Sequence, residues 1–300
     1  MNQPLVSIVT PCYNGETYLT PFLDSLLAQT YKNVELIFID DASTDKTAEI
    51  LEAYKPRLEK KGWKVIYYKR AENGGVAKAI NDGLTRFTGK YLAWPDSDDI
   101  LYPHNLERRV EYMESHPDCS ILFNQVDSCT EGNYQKKQHH PQEIQAANPP
   151  TMERLVGGLM LAPALCTLIR SADFIRINPT RQIYDKSTGG QNYQLVLPMV
   201  YAGKVGCLEE ILACYVERKT SHYHNPKTEL KRKFQYYHIL LQTLKSIDMP
   251  AKERSYYRRI ARQTHGVRCL RCAARTLLTI CVGEKFVDRV RKLISGARQS

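Results

Sequence analysis

Along the first 125 residues, short apolar runs rich in β-formers alternate with longer stretches whose apolar positions recur at helical spacing. Residues 5–10, 34–39, 64–68, 91–94 and 120–123 read as strands. Residues 16–29, 44–60, 76–87 and 103–115 read as the helices between them. Asn14-Gly15, Asn73-Gly74-Gly75 and Thr88-Gly89 supply the turns, and Ser43 or Thr44 supplies an N-cap for the second helix. Strand-then-helix units in series build a mostly parallel sheet flanked by crossover helices, so the fold class is α/β.

Downstream the rhythm changes. Residues 130–150 are polar and read as a long loop at an acceptor edge. Residues 151–217 read as α+β, with helices near 152–156 and 191–201 and strands near 165–169 and 211–215. Beyond Pro226 the apolar residues Leu240, Leu241, Leu244 and Ile247, and later Leu277, Leu278, Val282, Phe286, Val290, Leu293 and Ile294, fall at amphipathic helical spacing. The expected organisation is one domain over 1–224, in halves 1–125 and 126–224, followed by a basic helical extension over 225–300.

A chain of 300 residues, 43% hydrophobic and 25% charged, can bury one large or two modest cores. The most apolar stretch, residues 269–282, is broken by Arg271 and Arg275, which excludes a membrane span there. The start lacks a basic leader, and Pro4, Ser7, Thr10 and Pro11 interrupt its apolar run, so a cytoplasmic protein is expected. Nine cysteines without framework spacing suit free thiols in a reducing compartment. His265, Cys269, Cys272 and Cys281 can be drawn as a zinc set, but one Cys-x-x-Cys on a helical stretch reads first as buried thiols.

The net charge of +10 is unevenly placed: residues 225–300 hold 18 Lys and Arg against 5 Asp and Glu, whereas residues 1–224 hold 24 against 27. Such a block meets lipid or nucleic-acid phosphates, or forms a solvated helical face. An apolar face opposite the charges would suit an anionic membrane surface, which is favoured, while Tyr236, Tyr237, Tyr256 and Tyr257 leave room for nucleic acid and packing of these helices on the preceding domain is an equal alternative.

Ligands of open parallel sheets bind beyond the carboxyl ends of the strands. Those positions hold Pro11-Cys12-Tyr13-Asn14, Asp40-Asp41-Ala42-Ser43-Thr44-Asp45, Asn73-Gly74-Gly75 and Asp96-Ser97-Asp98-Asp99. Crowded carboxylates such as Asp96, Asp98 and Asp99 call for a cation or a proton, and hard oxygen donors suit Mg²⁺ or Mn²⁺ with substrate phosphates filling the remaining positions. Asp98 or Asp99 could instead cap a following helix. Asp41 could accept the imide proton of a uracil, or could itself cap. The Asn73-Gly74-Gly75 turn could offer amides to a phosphate or merely connect two elements.

In order and spacing these segments, together with Asn81-x-Gly83, resemble the motifs of family 2 glycosyltransferases with the GT-A fold. The resemblance is strong over residues 5–125, weaker to 218 and absent beyond, and it implies a catalytic domain over 1–224 with a nucleotide-binding half (1–125) and an acceptor-binding half (126–224). It implies transfer of a sugar, UDP-sugar favoured, from a nucleotide-diphosphate donor to a glycan or lipid-linked acceptor, commonly with inversion, in bacterial surface polysaccharide or glycoconjugate synthesis. It further implies that Pro11, Tyr13 and Asn14 line the base pocket, Asp41 holds the base, Asn73, Gly75, Lys78, Asp96 and Ser97 meet the nucleotide-sugar, and Asp98 with Asp96 binds Mn²⁺ or Mg²⁺.

Where many members carry Glu-Asp as the source of the general base, this chain has Gln191-Asn192. An amide takes no proton at neutral pH. Either Asp185 supplies the base, or the Gln191 and Asn192 amides orient an acceptor that is already acidic, or transfer is slow. His222 and His224 follow the last strand and are further candidates for the metal or diphosphate, as are Arg218 and Lys219. The competing class is a basic membrane-surface or nucleic-acid adaptor on a catalytically impaired scaffold.

Overall fold

The computed structural model describes residues 3–139, 149–160, 163–186, 190–218 and 226–273. Four strands, β1 (Val6–Cys12), β2 (Val34–Asp40), β3 (Lys64–Lys69) and β4 (Tyr91–Ala93), pair in parallel in the order β3-β2-β1-β4. The crossovers carry α1 (Leu19–Leu27), α2 (Thr47–Lys60) and α3 (Val76–Leu84), and α4 (Asn105–Ser115) follows the last of the four strands. Every residue of β1 and β2 is buried, which is what near-continuous apolar runs require of strands covered on both faces. Alternation assigns the faces: Val6, Ile8, Leu36 and Phe38 pack with α1 and α4, while Val9, Ile37 and Ile39 pack with Ala77, Ile80 and Leu84 of α3.

β5 (Ile100–Leu101), β6 (Cys119–Thr130), β7 (Asn133–His139), β8 (Thr167–Arg170) and β9 (Lys204–Glu217) extend the sheet to the order β3-β2-β1-β4-β8-β6-β9-β5, with β7 on β6. β8 runs antiparallel to β4 and β6, and β9 runs parallel to β6. The long loop expected over 130–150 therefore begins as a hairpin, turning at Gly132 with φ +79°. Asn133–His139 escaped notice because a polar edge strand has no apolar alternation to detect. α5 (Met152–Val156) and α7 (Gln191–Ala202) fall where expected, whereas α6 (Ser171–Ile177) was not anticipated.

The second helix also starts later than expected. α2 begins at Thr47, whose amide is met by the Asp45 carboxylate at 3.0 Å, and Ser43 turns its hydroxyl to the Asn14 amide at 2.9 Å.

Two basic helices, α8 (Pro226–Ser246) and α9 (Ala251–Ala261), follow. Leu240, Leu244, Ile247, Met249 and Ala261 are buried in the same core as Val9 and Ile37. The described part of the basic segment is thus packed on the sheet-bearing body. Among the described residues no helix is long and apolar enough to cross a membrane, and the eight described cysteines are free thiols.

Candidate active site

The loops after β1 and β2 are laced together at the carboxyl edge of the sheet. The Asp41 amide bonds the Cys12 carbonyl at 2.8 Å, the Thr44 amide bonds the Asn14 side chain at 3.0 Å, and the Gly15 amide bonds Thr47 Oγ1 at 2.7 Å. Asn14 adopts φ +49° and Ala42 φ +62°, left-handed conformations tolerated by Asn and costly for Ala. Tyr13 stands 47% exposed above this edge. Pro11 lies buried within β1 beneath it.

Asp40 is structural: it accepts the Ser43 amide at 2.7 Å and the Tyr67 hydroxyl at 2.8 Å. Asp41, also buried, accepts the amides of Gly74 at 2.9 Å and Gly75 at 2.7 Å and pairs with Arg70. Arg70 is shared with Asp82 at 2.7 Å. The glycine amides that the sequence offered to a phosphate instead hold a carboxylate, because a buried anion needs donors more than an exposed turn does. A Cβ at Gly74 would collide with the Arg70 guanidinium, which explains that glycine. Asn73 is exposed and Lys78 half-buried beside the same turn. Arg70 directly follows β3 on the same rim, but nothing in the sequence marks it as the partner of Asp41.

Beyond β4 lies the acidic cluster. Asp98 pairs with Arg218 at 2.8 Å, and the Arg218 guanidinium lies 4.1 Å from the centre of the Tyr18 ring. The Tyr18 hydroxyl donates to the Tyr13 carbonyl at 2.9 Å. A continuous chain thus joins Tyr13, Tyr18, Arg218 and Asp98. Burial, then the neighbouring Asp98, pushes the Asp96 carboxyl up to about 7, with Arg218 and a hydrogen bond to Gln191 opposing. Asp98 is likewise raised by burial against the pull of Arg218.

Asp99, 1% exposed, is raised well above the usual carboxylate range by burial and by the neighbouring Asp98 and Asp96, with the Val216 and Asp96 backbone opposing only in part. Helix capping does not explain the cluster, since α4 begins only at Asn105. Ser97 is buried and bonded to Cys12, whose thiol burial pushes up to about 12; it faces the sheet rather than the rim.

Three carboxylates against one guanidinium fit a divalent cation. Among the described residues no group of three or more His, Cys, Asp or Glu side chains is arranged around one metal position. Mg²⁺-type sites need only one or two carboxylates when substrate phosphates complete them. His222 and His224 lie outside the described residues, as does Lys219.

On the other wall, Gly190 begins α7 in a left-handed conformation, φ +74°, and a Cβ there would lie 2.8 Å from Ile239 of α8. Gln191 bonds Asp96. The Trp94 indole donates to Asn192 Oδ1 at 3.1 Å, so the end of Asn192 left for a ligand is its NH₂, a donor and not a base. Asn81 clamps Ile183, giving its Nδ2 to the carbonyl at 2.9 Å and accepting the amide at 2.7 Å. Gln194 clamps Tyr184 in the same way, giving its Nε2 to the carbonyl at 3.0 Å and accepting the amide at 2.7 Å. Asp185 follows these two tethered residues, half-buried, with no ion pair or hydrogen bond among the described residues. The Asn81-x-Gly83 motif therefore positions the segment leading to Asp185, a role invisible until the fold joins residues 102 positions apart.

A mostly parallel sheet curling into antiparallel strands, with an acidic cluster at its carboxyl edge, defines the GT-A class of fold. The family profile described as glycosyl transferase family 2 matches residues 7–177, and the chain belongs to that family. A putative teichuronic acid biosynthesis glycosyltransferase, TuaG of Bacillus subtilis, is 40% identical over 121 residues, covering 40% of this chain and 46% of the relative. An uncharacterized glycosyltransferase of Rickettsia typhi is 42% identical over 110 residues, covering 37% of this chain and 32% of the relative. The chain thus matches about a third to a half of these relatives' length. Among solved structures, Staphylococcus aureus TarS residues 1–349 in complex with UDP-GlcNAc superposes with TM-score 0.67 at 21% identity, over 87% of this chain and 72% of that one. The mannosyltransferase PcManGT of Pyrobaculum calidifontis, in complex with GDP-Man and Mn²⁺, superposes with TM-score 0.64 at 14% identity, over 99% and 81%.

Proposed function

We propose that the chain transfers a sugar from a nucleotide-diphosphate donor, UDP-sugar favoured, to a glycan or lipid-linked acceptor in bacterial surface polysaccharide or glycoconjugate synthesis. The observation that carries this reading is the crowding of half-buried Asp96 and Asp98 with buried Asp99 at the rim, where a single guanidinium, Arg218, pairs with Asp98. The like-folded TarS and PcManGT, solved with UDP-GlcNAc and GDP-Man, support a nucleotide-sugar donor, and the teichuronic acid relative supports a cell-surface polymer.

In this reading Asp98 and Asp96 hold Mn²⁺ or Mg²⁺, which when bound offsets the charge growing on the departing diphosphate. Tyr13 offers its exposed ring to the base, and Asn14 and Asp41 fix the loops that frame it. Arg218 exchanges its Asp98 partner for a phosphate oxygen. Lys78 and Asn73 line the entrance, and His222 and His224 are the remaining candidates for the diphosphate side. Gln191 steadies Asp96, and Asn192 donates through its NH₂ to an acceptor hydroxyl. Asp185, held by the Asn81 and Gln194 clamps, takes the acceptor proton for an inverting displacement. Residues 1–125 serve the donor and residues 126–224 the acceptor.

The test is a panel of nucleotide sugars presented with Mn²⁺ or Mg²⁺, read by release of nucleoside diphosphate. One donor is expected to be turned over, with Asp98→Asn lowering the rate by about 100-fold or more. Failure of every donor to bind, with either metal, would remove the reading.

A further inference from the structure

Helix α9 and its continuation carry an exposed face that core packing does not explain. Residues 251–273 hold seven Lys and Arg and one acidic residue, Glu253, and Glu253 already accepts the Tyr201 hydroxyl at 2.9 Å. A π-helical turn, Arg262–Gly266, follows α9, and residues 267–273 continue as helix. In an unbroken α-helix Arg268, two turns beyond the buried Ala261, would return to the inner face. The wider turn retards the rotation by about one residue. Cys269 and Cys272 are buried in consequence, and Arg268 is exposed with Val267, Leu270 and Arg271.

Leu270 is 68% exposed, and Leu159, from the distant turn after α5, is 76% exposed. The two regions adjoin: a Cβ on Gly158 would lie 2.9 Å from Arg268 Nη1 and 3.2 Å from the His265 ring. Scattered surface leucines are ordinary. Protruding aliphatic side chains with exposed Arg268 and Arg271 beside them on the same helical stretch have the composition of a segment that lies in a lipid interface.

We propose that Val267 and Leu270, with Arg268 and Arg271 beside them in the helix and Leu159 protruding from the adjoining turn, dock on an anionic lipid bilayer. The aliphatic side chains enter the boundary between headgroups and acyl chains, and the guanidinium groups meet lipid phosphates. Charge selects this occupant over a second copy of the chain, because two such faces would oppose arginine to arginine. The face also touches the catalytic wall: the His265 ring meets Tyr193 edge-on at 6.5 Å, and Tyr193 follows Gln191 and Asn192 in α7. Docking there would present a lipid-linked acceptor to the site. That step rests on the transferase reading; the lipid contact itself does not.

The experiment sediments the full chain with vesicles of phosphatidylcholine, alone or mixed with phosphatidylglycerol, at low and high salt. Circular dichroism confirms that each variant is folded. The wild type is expected on the anionic vesicles only. Arg268→Gln with Arg271→Gln should weaken binding by about tenfold or more, and Leu159→Ser with Leu270→Ser should abolish the fraction that resists salt. Equal binding to both vesicle types, or unchanged binding by both double variants, overturns the proposal. So does a dimer in sedimentation velocity that dissociates on Leu270→Ser. Donor turnover is measured separately without vesicles: binding without turnover refutes the transferase and spares this surface, and turnover without binding does the reverse.

Discussion

Asp99 sets stability against chemistry most directly. A carboxyl sealed from water beside two others must take up a proton on folding at neutral pH or bury its charge, and either costs folding free energy. Asp99→Asn keeps the shape and removes that cost, so the metal-free protein at neutral pH should melt about 2 °C or more higher, while Mn²⁺ should stabilise the variant less than the wild type. Thermal denaturation with and without Mn²⁺ checks both. Asn81 gives the opposite case, because its side chain satisfies both backbone groups of Ile183. Asn81→Ala should cost about 1–3 kcal/mol in urea unfolding, and should lower turnover beyond that loss of stability by releasing the segment before Asp185. Asn81→Asp, which keeps the acceptor for the Ile183 amide, should recover part of the stability. Most acidic residues on the rim could be read from the sequence because strand ends are local and parallel topology aligns them. Arg70 and Arg218 could not be assigned partners, because the carboxylates that choose them lie 29 and 120 positions away.

At the scale of elements, legibility follows burial on two faces. β1 and β2 announced themselves as continuous apolar runs because both faces are covered. β7 gives no strand signal because its sequence is largely polar, and β9 gives one only over its apolar end although it begins at Lys204. Gly83 shows how tightly the recognised layer is closed. A Cβ at this position of α3 would overlap a Val9 methyl of β1, and Ile39 lies 3.5 Å away. Gly83→Ala would gain helix propensity but force α3 off the sheet. The expected net is a loss of about 1–3 kcal/mol, read as a lower urea midpoint at unchanged slope. Because Asn81 sits on the same helix, the displacement should also reduce donor turnover. An unchanged midpoint would mean that the layer has slack that the geometry does not show.

For the whole molecule, the decisive question is where the catalytic body ends. Charge arithmetic placed a boundary near residue 225, since the positive excess begins there. Charge reports the solvent side of a helix, however, and says nothing of what its other side covers. Ile239 approaches Gly190 at the start of α7, and Leu240, Leu244, Ile247 and Met249 lie in the core shared with Val9 and Ile39. Burying four such side chains is worth roughly 6–12 kcal/mol at about 1.5–3 kcal/mol each, the same scale as the net stability of a domain, about 5–15 kcal/mol. A chain ending at residue 224 should therefore fail to fold, whatever its active-site residues. Expression of residues 1–224 should yield aggregate or a species without a cooperative melt, whereas retaining residues up to 273 should restore the transition. A soluble, cooperatively melting 1–224 fragment that still binds a nucleotide sugar would show that α8 and α9 cover a surface the catalytic domain can leave exposed, and would return the boundary to where the charge places it.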